Sequence, residues 1–300
     1  MHKFNYIVTA EDIKNESRIK ELIRSNFSFS SRLNKKIKRE NLILLNGHPV
    51  KTFLHPALGD VLSINLPAEA SDFVPEDIPL HILYEDDDLL VLNKQPGIVV
   101  HPTKGHPAHT LSNGIMKYIL DTDKHFKIRF INRLDMDTSG ILVVGKNSHT
   151  QDHFTKQMSL NQVKKTYTAV VKGILSEDAG TIDLPIGQAD SEKVERCVMP
   201  EGGSPSVTRY RVLERYKKGF TLVELLLETG RTHQIRVHLS HLGYPVVGDH
   251  LYGGSNVNLI ERQALHSTKL SFHHPVTNVL LEIEAPLPSD ILELIQKIKD

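Results

Sequence analysis

Residues 130–147, Phe-Ile-Asn-Arg-Leu-Asp-Met-Asp-Thr-Ser-Gly-Ile-Leu-Val-Val-Gly-Lys-Asn, hold the groups best suited to chemistry. Arg133 and Asp135 flank Leu134, a polar turn Asp137-Thr138-Ser139-Gly140 follows, and an apolar strand closes the segment. An isolated Asp-Thr-Ser-Gly is usually a β-turn with an Asx-type bond. Here Leu134 sets two charged side chains on one side and an apolar anchor on the other. A carboxylate held where a strand meets a turn, beside a cation, suits nucleophilic catalysis.

Other chemistries find less support. Seventeen histidines invite a metal reading, with His101, His106 and His109, then His233, His238 and His241, then His273 and His274 as candidates. No His-Glu-x-x-His and no cysteine pair occurs, so no metal is expected and the histidines read as scattered polar or half-buried side chains. The single cysteine, Cys197, forms no internal disulfide and has no activating neighbours, which fits a reducing cytosol. No Gly-x-Gly-x-x-Gly or P-loop is present, so no cofactor is expected either. The chain lacks an apolar leader and any long apolar run, so a cytoplasmic protein without membrane contact is the expectation.

The elements that must position Asp135 follow from patterning. Segments 88–94, 140–146, 165–173, 207–215, 220–228 and 279–285 are β-branched, often alternating, and separated by Gly, Pro, Asn and Asp. Helical stretches are fewer, near 108–120, 148–159 and 232–242, with a last one for which Ser289 is the expected N-cap. The fold class is therefore α+β, with a large mixed, mainly antiparallel sheet rather than a βαβ alternation. Residues 68–80 are acidic, proline-containing and aperiodic, and read as a flexible linker. The division is 1–70, a linker at 71–80, and 81–300.

The first unit reads as two helices and a hairpin around Asn46-Gly47, a strong turn signal. The chain is neutral overall, with 36 cations against 36 anions. Residues 18–40 nevertheless carry Arg18, Lys20, Arg24, Arg32, Lys35, Lys36, Lys38 and Arg39 against only Glu21 and Glu40. That is a solvated helix face or a phosphate-binding one. The order of elements resembles the small α-L RNA-binding domain, and the resemblance implies that the second helix, with Arg32, Lys35, Lys36 and Arg39, lies on RNA.

Arg-Leu-Asp-Met-Asp-Thr-Ser-Gly closely resembles the signature of the RluA-type pseudouridine synthases. Three further blocks match in order: residues 89–102 with Lys94, Pro96, Gly97 and His101, residues 163–173 with Tyr167, and residues 227–254 with Gly-Arg-Thr-His-Gln-Ile-Arg. The resemblance implies that Asp135 is the catalytic carboxylate, Tyr167 the active-site tyrosine, and Arg236 the partner of Asp135. It also implies that Arg133 fills the space left by a base drawn from its stack, and that Leu134, Thr138, Arg231, His233 and Gln234 meet the substrate. A guanidinium fork would bind Asp135 bidentately and favour its ionised form. Two departures stand out: Asn132 replaces a usual histidine, and Lys-Pro-Gly is stretched to Lys94-Gln95-Pro96-Gly97. The expected partner is structured RNA, ribosomal rather than transfer RNA, bound by a monomer. A tRNA-directed synthase, or a non-catalytic RNA-binding or ribosome-assembly protein on the same fold, is the alternative. Asp135, Tyr167 and Arg236 retained together favour the enzyme.

Overall fold

The computed structural model describes residues 2–27, 29–66, 69–190, 194–253 and 259–299. The first elements are β1 (His2–Ile7), α1 (Ala10–Lys14), α2 (Ile19–Phe27), α3 (Ser31–Arg39), β2 (Ile43–Leu45), β3 (His48–Pro49) and β4 (Val61–Leu66). Four strands pair in the order β1-β4-β2-β3. At the hairpin tip Asn46 and Gly47 both take positive φ, 51° and 84°, as a two-residue turn matched to strand twist requires. Of the two helices expected here, the first is split into α1 and α2 near Glu16, whose φ is 50°. Phe4, Ile19, Leu22, Ile37, Ile43 and Ile64 form an apolar cluster drawn only from this part of the chain.

The stretch expected to be a flexible linker is instead a strap laid on the rest of the protein. Asn113 donates to the Val74 carbonyl at 2.7 Å, and Ile128 N–H donates to Ser71 Oγ at 3.0 Å. Ile78 is buried against Gly114, where any side chain would meet it. Glu69 joins the two parts, binding Lys36 at 3.2 Å and also pairing with Arg129. Phe4 and Phe29 then pack edge-on against His149, with centroids 5.0 and 5.1 Å away.

The remaining elements are β5 (Ile82–Glu85), β6 (Leu89–Lys94), α4 (Leu111–Asp121), β7 (Arg129–Phe130), β8 (Ser139–Gly145), α5 (Ser148–Ser159), β9 (Lys164–Lys172) and β10 (Ala179–Asp183). After them come β11 (Ile186–Gly187), β12 (Cys197–Val198), β13 (Val207–Tyr216), β14 (Phe220–Leu227), α6 (Gln234–His241), β15 (Leu265–His273), β16 (Leu280–Glu284) and α7 (Ser289–Lys299). α7 begins at Ser289 itself, so this residue opens the helix instead of flanking it. Ten strands form one sheet, β10-β13-β14-β9-β15-β8-β6-β5, with β16 on β15 and β7 on β8. β6 and β8 are buried nearly throughout, and β9 over Tyr167–Val171, as strands covered on both faces must be.

Every strand pair in this sheet is antiparallel except β8 with β15. That parallel seam joins the half built on β5, β6 and β8 to the half built on β9, β13 and β14. Gly140 makes the seam possible: its φ is 111°, and a Cβ there would lie 2.3 Å from the Ser267 carbonyl oxygen. Gly140→Ala should therefore destabilise the protein by about 3 kcal/mol or more, combining backbone strain with overlap against a strand. Urea unfolding measures this, and a loss under about 1 kcal/mol would contradict the close approach.

Candidate active site

Asp135 sits in the loop between β7 and β8, where the halves of the sheet meet. The loop is a β-turn closed by Thr138 N–H donating to the Asp135 carbonyl at 3.1 Å. Leu134 is buried in the main core and anchors the turn from below. Asn132 holds it from one side, donating to the Ile141 carbonyl at 3.0 Å and accepting from Val143 N–H at 2.8 Å. The asparagine thus ties the Arg-Leu-Asp segment to β8 through two backbone bonds.

Two buried cations grip the turn from the other side. The Lys94 ammonium, 1% exposed, donates to the carbonyls of Gln95, Met136 and Thr138 at 2.9, 2.7 and 2.9 Å. Burial pulls its pKa down to about 7, with the Asp137 and Asp135 charges acting against that fall. Arg262 supplies the intervening bond, donating to the Asp137 carbonyl at 2.9 Å while its fork holds Asp290 at the start of α7. Thr138 Oγ1 accepts from Gln263 at 3.3 Å. Three successive turn carbonyls are thereby bound to side-chain cations, and the carboxylate above them has a fixed direction.

Arg236, on α6, meets Asp135 as expected, but not with its fork. Its Nη1 donates to Asp135 Oδ2 at 2.9 Å. The fork, Nε and Nη2, belongs to Asp249, at 2.7 and 2.9 Å. Asp249 is fully buried and also accepts from Leu251 and Tyr252 N–H. Burial alone would lower the guanidinium's pKa, yet the Asp249 bonds, with both carboxylate charges, drive it up. Tyr252 lies under the guanidinium, 5.0 Å from its ring centre. Asp249 and Tyr252 were not among the expected site residues, although both fall inside the matching block 227–254. The adjacent Gly248, with φ 78° and a would-be Cβ 2.0 Å from the Arg262 carbonyl oxygen, was their one local signal.

Tyr167, on β9, is buried and lines the same cleft. Burial pushes its pKa up to about 12, aided by the Asp135 charge and opposed by a hydrogen bond with Ser267, so the phenol keeps its proton at neutral pH. His233 precedes α6 in a left-handed conformation, φ 57°, with Nε2 3.8 Å from Asp135 and Nδ1 2.9 Å from the Tyr252 hydroxyl. Burial lowers its pKa, with Asp135 acting the other way. Arg133 is exposed on the rim and has no hydrogen bond or ion pair among the described residues. Arg231 is exposed too, and donates to the Pro205 carbonyl at 3.2 Å.

Gln234 lines the cleft, but its amide is bonded within the protein. It is buried, accepting from the Thr229 hydroxyl and from Arg231 N–H and donating to the Val207 carbonyl and the Thr208 hydroxyl. It fastens the 228–233 loop to β13, so its side chain is taken up within the protein. His238 is likewise engaged, with Thr208 and the Leu184 carbonyl each at 2.9 Å. Lys35, Lys36 and Arg39 lie on α3, away from the cleft, while the Arg32 side chain falls outside the described residues. Asp86, Asp88 and His274 draw together elsewhere, but Asp86 accepts from Tyr84, His274 and two backbone N–H groups. Asp88 accepts from Asn147 at 2.8 Å. The group is a hydrogen-bonded turn.

The cleft has a volume of about 440 Å³ and mixes apolar walls (Val100, Phe130, Met158, Leu227, Leu265) with the polar groups above. Behind the turn, Ser139 Oγ lies 2.8 Å from Nδ1 of fully buried His266, whose Nε2 is 3.3 Å from the Ala285 carbonyl oxygen. Burial pulls the His266 pKa down to about 4; the Ala285 bond opposes this and the Arg262 charge adds to it. Its folded value lies below the unfolded one, so the unfolded chain takes the proton first as pH falls. Stability should then drop by up to about 3 kcal/mol between roughly pH 6.5 and 4. Unfolding free energies measured across that window should slope less in His266→Asn, and parallel slopes would refute the assignment.

Comparison with known proteins gives one answer. A family model described as RNA pseudouridylate synthase matches residues 88–241. An uncharacterised RNA pseudouridine synthase of Bacillus subtilis, YlyB, is 40% identical over 97% of each chain. Ribosomal large subunit pseudouridine synthase D of Haemophilus ducreyi is 36% identical over 94% of this chain and 91% of its own. Among solved structures, human RNA pseudouridylate synthase domain containing 1 superposes with a TM-score of 0.57 at 29% identity. It covers 73% of this chain and 94% of its own.

Proposed function

This chain belongs to the RNA pseudouridylate synthase family, and we propose that it uses Asp135 as the catalytic carboxylate on uridine in large-subunit ribosomal RNA. It converts uridine to pseudouridine in structured RNA. The reaction breaks the C1′–N1 bond, turns the held uracil, joins C5 to C1′ and removes the C5 proton while the freed N1 gains one, with no net gain or loss of atoms. Asp135 serves it by attacking the nucleotide or by removing a sugar proton, and either role needs the ionised form. The observation that carries this reading is the 2.9 Å bond from Arg236 to Asp135, the sole carboxylate lining the cleft among the described residues.

The other roles follow from position. Tyr167 offers a flat face to the uracil and a protonated hydroxyl near C5. Arg133, free on the rim, enters the stack as the base leaves it. Leu134 and Thr138 act by shaping the turn, while His233 and Arg231 lie on the substrate side of the cleft. The ribosomal assignment rests on the relatives named for the large subunit and on the basic α3. We take residues 1–70 as the RNA-binding domain, 71–80 as its strap and 81–300 as the catalytic domain. The separate apolar cluster of the first unit supports that division. No helix among the described residues is long and apolar enough to cross a membrane. We take it to be a monomer, and its single free cysteine suits the reducing cytoplasm.

Asp135→Asn keeps the side chain's size and removes its charge. Pseudouridine formation on a large-subunit rRNA transcript should fall at least about a thousandfold, with RNA affinity and melting temperature nearly unchanged. Appreciable single-turnover conversion by the purified variant would sink the assignment.

Replacing Lys35 and Arg39 together by glutamine tests the first unit without disturbing its packing on His149. Binding to every RNA tried should weaken, and the slope of log affinity on log salt should flatten by about 0.9 for each phosphate no longer neutralised. An unchanged slope would remove α3 from the RNA interface.

A further inference from the structure

One half-buried cation in the cleft has no polar partner among the described residues. Lys165 is the second residue of β9, paired with Leu227 on β14 and Leu270 on β15. It stands two residues before Tyr167, so both side chains emerge on the same face of the sheet, about 7 Å apart along the strand. Its ammonium rests against Gly230, 3.5 Å from where a Cβ would project. Among the described residues it makes no hydrogen bond and no ion pair, although it is half-buried beside Met158 and Leu227.

Its neighbours show how unusual this is. Arg236 has two carboxylates and Lys94 three carbonyls, while Arg231 has a carbonyl and Arg133 is exposed to solvent. A half-buried ammonium loses hydration that only an anion fully restores. Burial accordingly lowers the Lys165 pKa, and no carboxylate offsets the fall. Asp135, the one carboxylate lining the cleft among the described residues, is already bound to Arg236. The missing anion must therefore arrive with the substrate.

We propose that Lys165 binds a backbone phosphate flanking the flipped uridine. This rests on the reading of the cleft as the uridine site. A uracil oxygen would also accept from an ammonium, but it is neutral and offsets less of the lost hydration. The spacing favours phosphate as well, because a ring packed on Tyr167 leaves one pleat of strand for its ribose before Lys165. The interaction carries no sequence information. It fixes how deep the nucleotide sits, and so the distance from C1′ to Asp135.

The test uses full-length protein and a large-subunit rRNA transcript under single-turnover conditions at several salt concentrations. Lys165→Met should raise the half-saturating concentration about tenfold, reduce the saturated rate less than about threefold, and flatten the salt slope by about 0.7 to 0.9. Lys165→Arg should restore the slope, which a purely structural role would not do, and Lys165→Gln replaces the methionine variant if that unfolds. On a stem-loop cut around the modified site, a methylphosphonate beside the target uridine, with 2′-deoxyribose at that linkage, should weaken binding by wild type. The same change should cost Lys165→Met nothing, each RNA being compared with its 2′-deoxy phosphodiester control. A wild-type salt slope in Lys165→Met, or equal losses in both proteins, would overturn the phosphate contact. Wild type that forms no pseudouridine in any RNA would overturn the underlying reading instead, and the two failures are distinct.

Discussion

The site depends on how a buried guanidinium is neutralised. Arg236 is 6% exposed and would be costly to bury unpaired, so it must have an anion inside the protein. Asp249 is that anion: it takes the fork, and its remaining lone pairs accept two backbone N–H groups. Because the fork is occupied, Asp135 receives a single bond, through Nη1. Had the fork closed on Asp135, both carboxylate oxygens would be engaged. The observed arrangement orients the carboxylate through Oδ2 and leaves its other oxygen without an Arg236 bond. Two carboxylates around one guanidinium also leave a net negative charge, of which Asp135 holds the accessible share.

The same logic explains the turn. Loops next to catalytic groups have backbone carbonyls that cannot enter a sheet and must be bound by something else. Here Lys94 at the end of β6 and Arg262 before β15 bind the carbonyls of residues 136–138 from within. Lys94 comes from one half of the sheet, and Arg262 ties in the C-terminal helix through Asp290. The turn is thus cross-braced by elements that the parallel seam at Gly140 brings side by side. The stretched Lys94-Gln95-Pro96-Gly97 segment fits this bracing, since the lysine that opens it also bonds the Gln95 carbonyl.

Much of this was legible in the sequence because it is local. The Asn46-Gly47 turn, the β-branched strands and the Arg-Leu-Asp-Met-Asp-Thr-Ser-Gly segment each carry their meaning within a few residues. What was not legible depends on distance along the chain. β15 escaped the strand pattern because Leu265–His273 mixes Ser, Thr, Lys and His into its alternation; those polar groups are bonded within the sheet and at its seam. Gln234 was expected on the substrate only from the resemblance of its block, whereas its amide is bonded to β13, to Thr208, 26 residues upstream. The acidic strap looked loose because its order comes from Asn113 and Ile128, which no local pattern reveals. The identity of the site was therefore readable, while its supporting bonds were not.

Overall neutrality conceals how the charges are used. Several carboxylates are committed to cations of the protein: Asp249 to Arg236 and Asp290 to Arg262 close to the site, and Glu69 to Lys36 and Arg129 at the joint with the first unit. Each such pair cancels at short range and contributes little field outside. What remains facing solvent at the cleft is unbalanced, with Arg133, Arg231 and Lys165 around one carboxylate already engaged by Arg236. A chain with equal numbers of cations and anions can therefore present a cationic mouth to a polyanion. The fold achieves this by pairing the anions with cations of its own and leaving the surplus cations where the substrate enters.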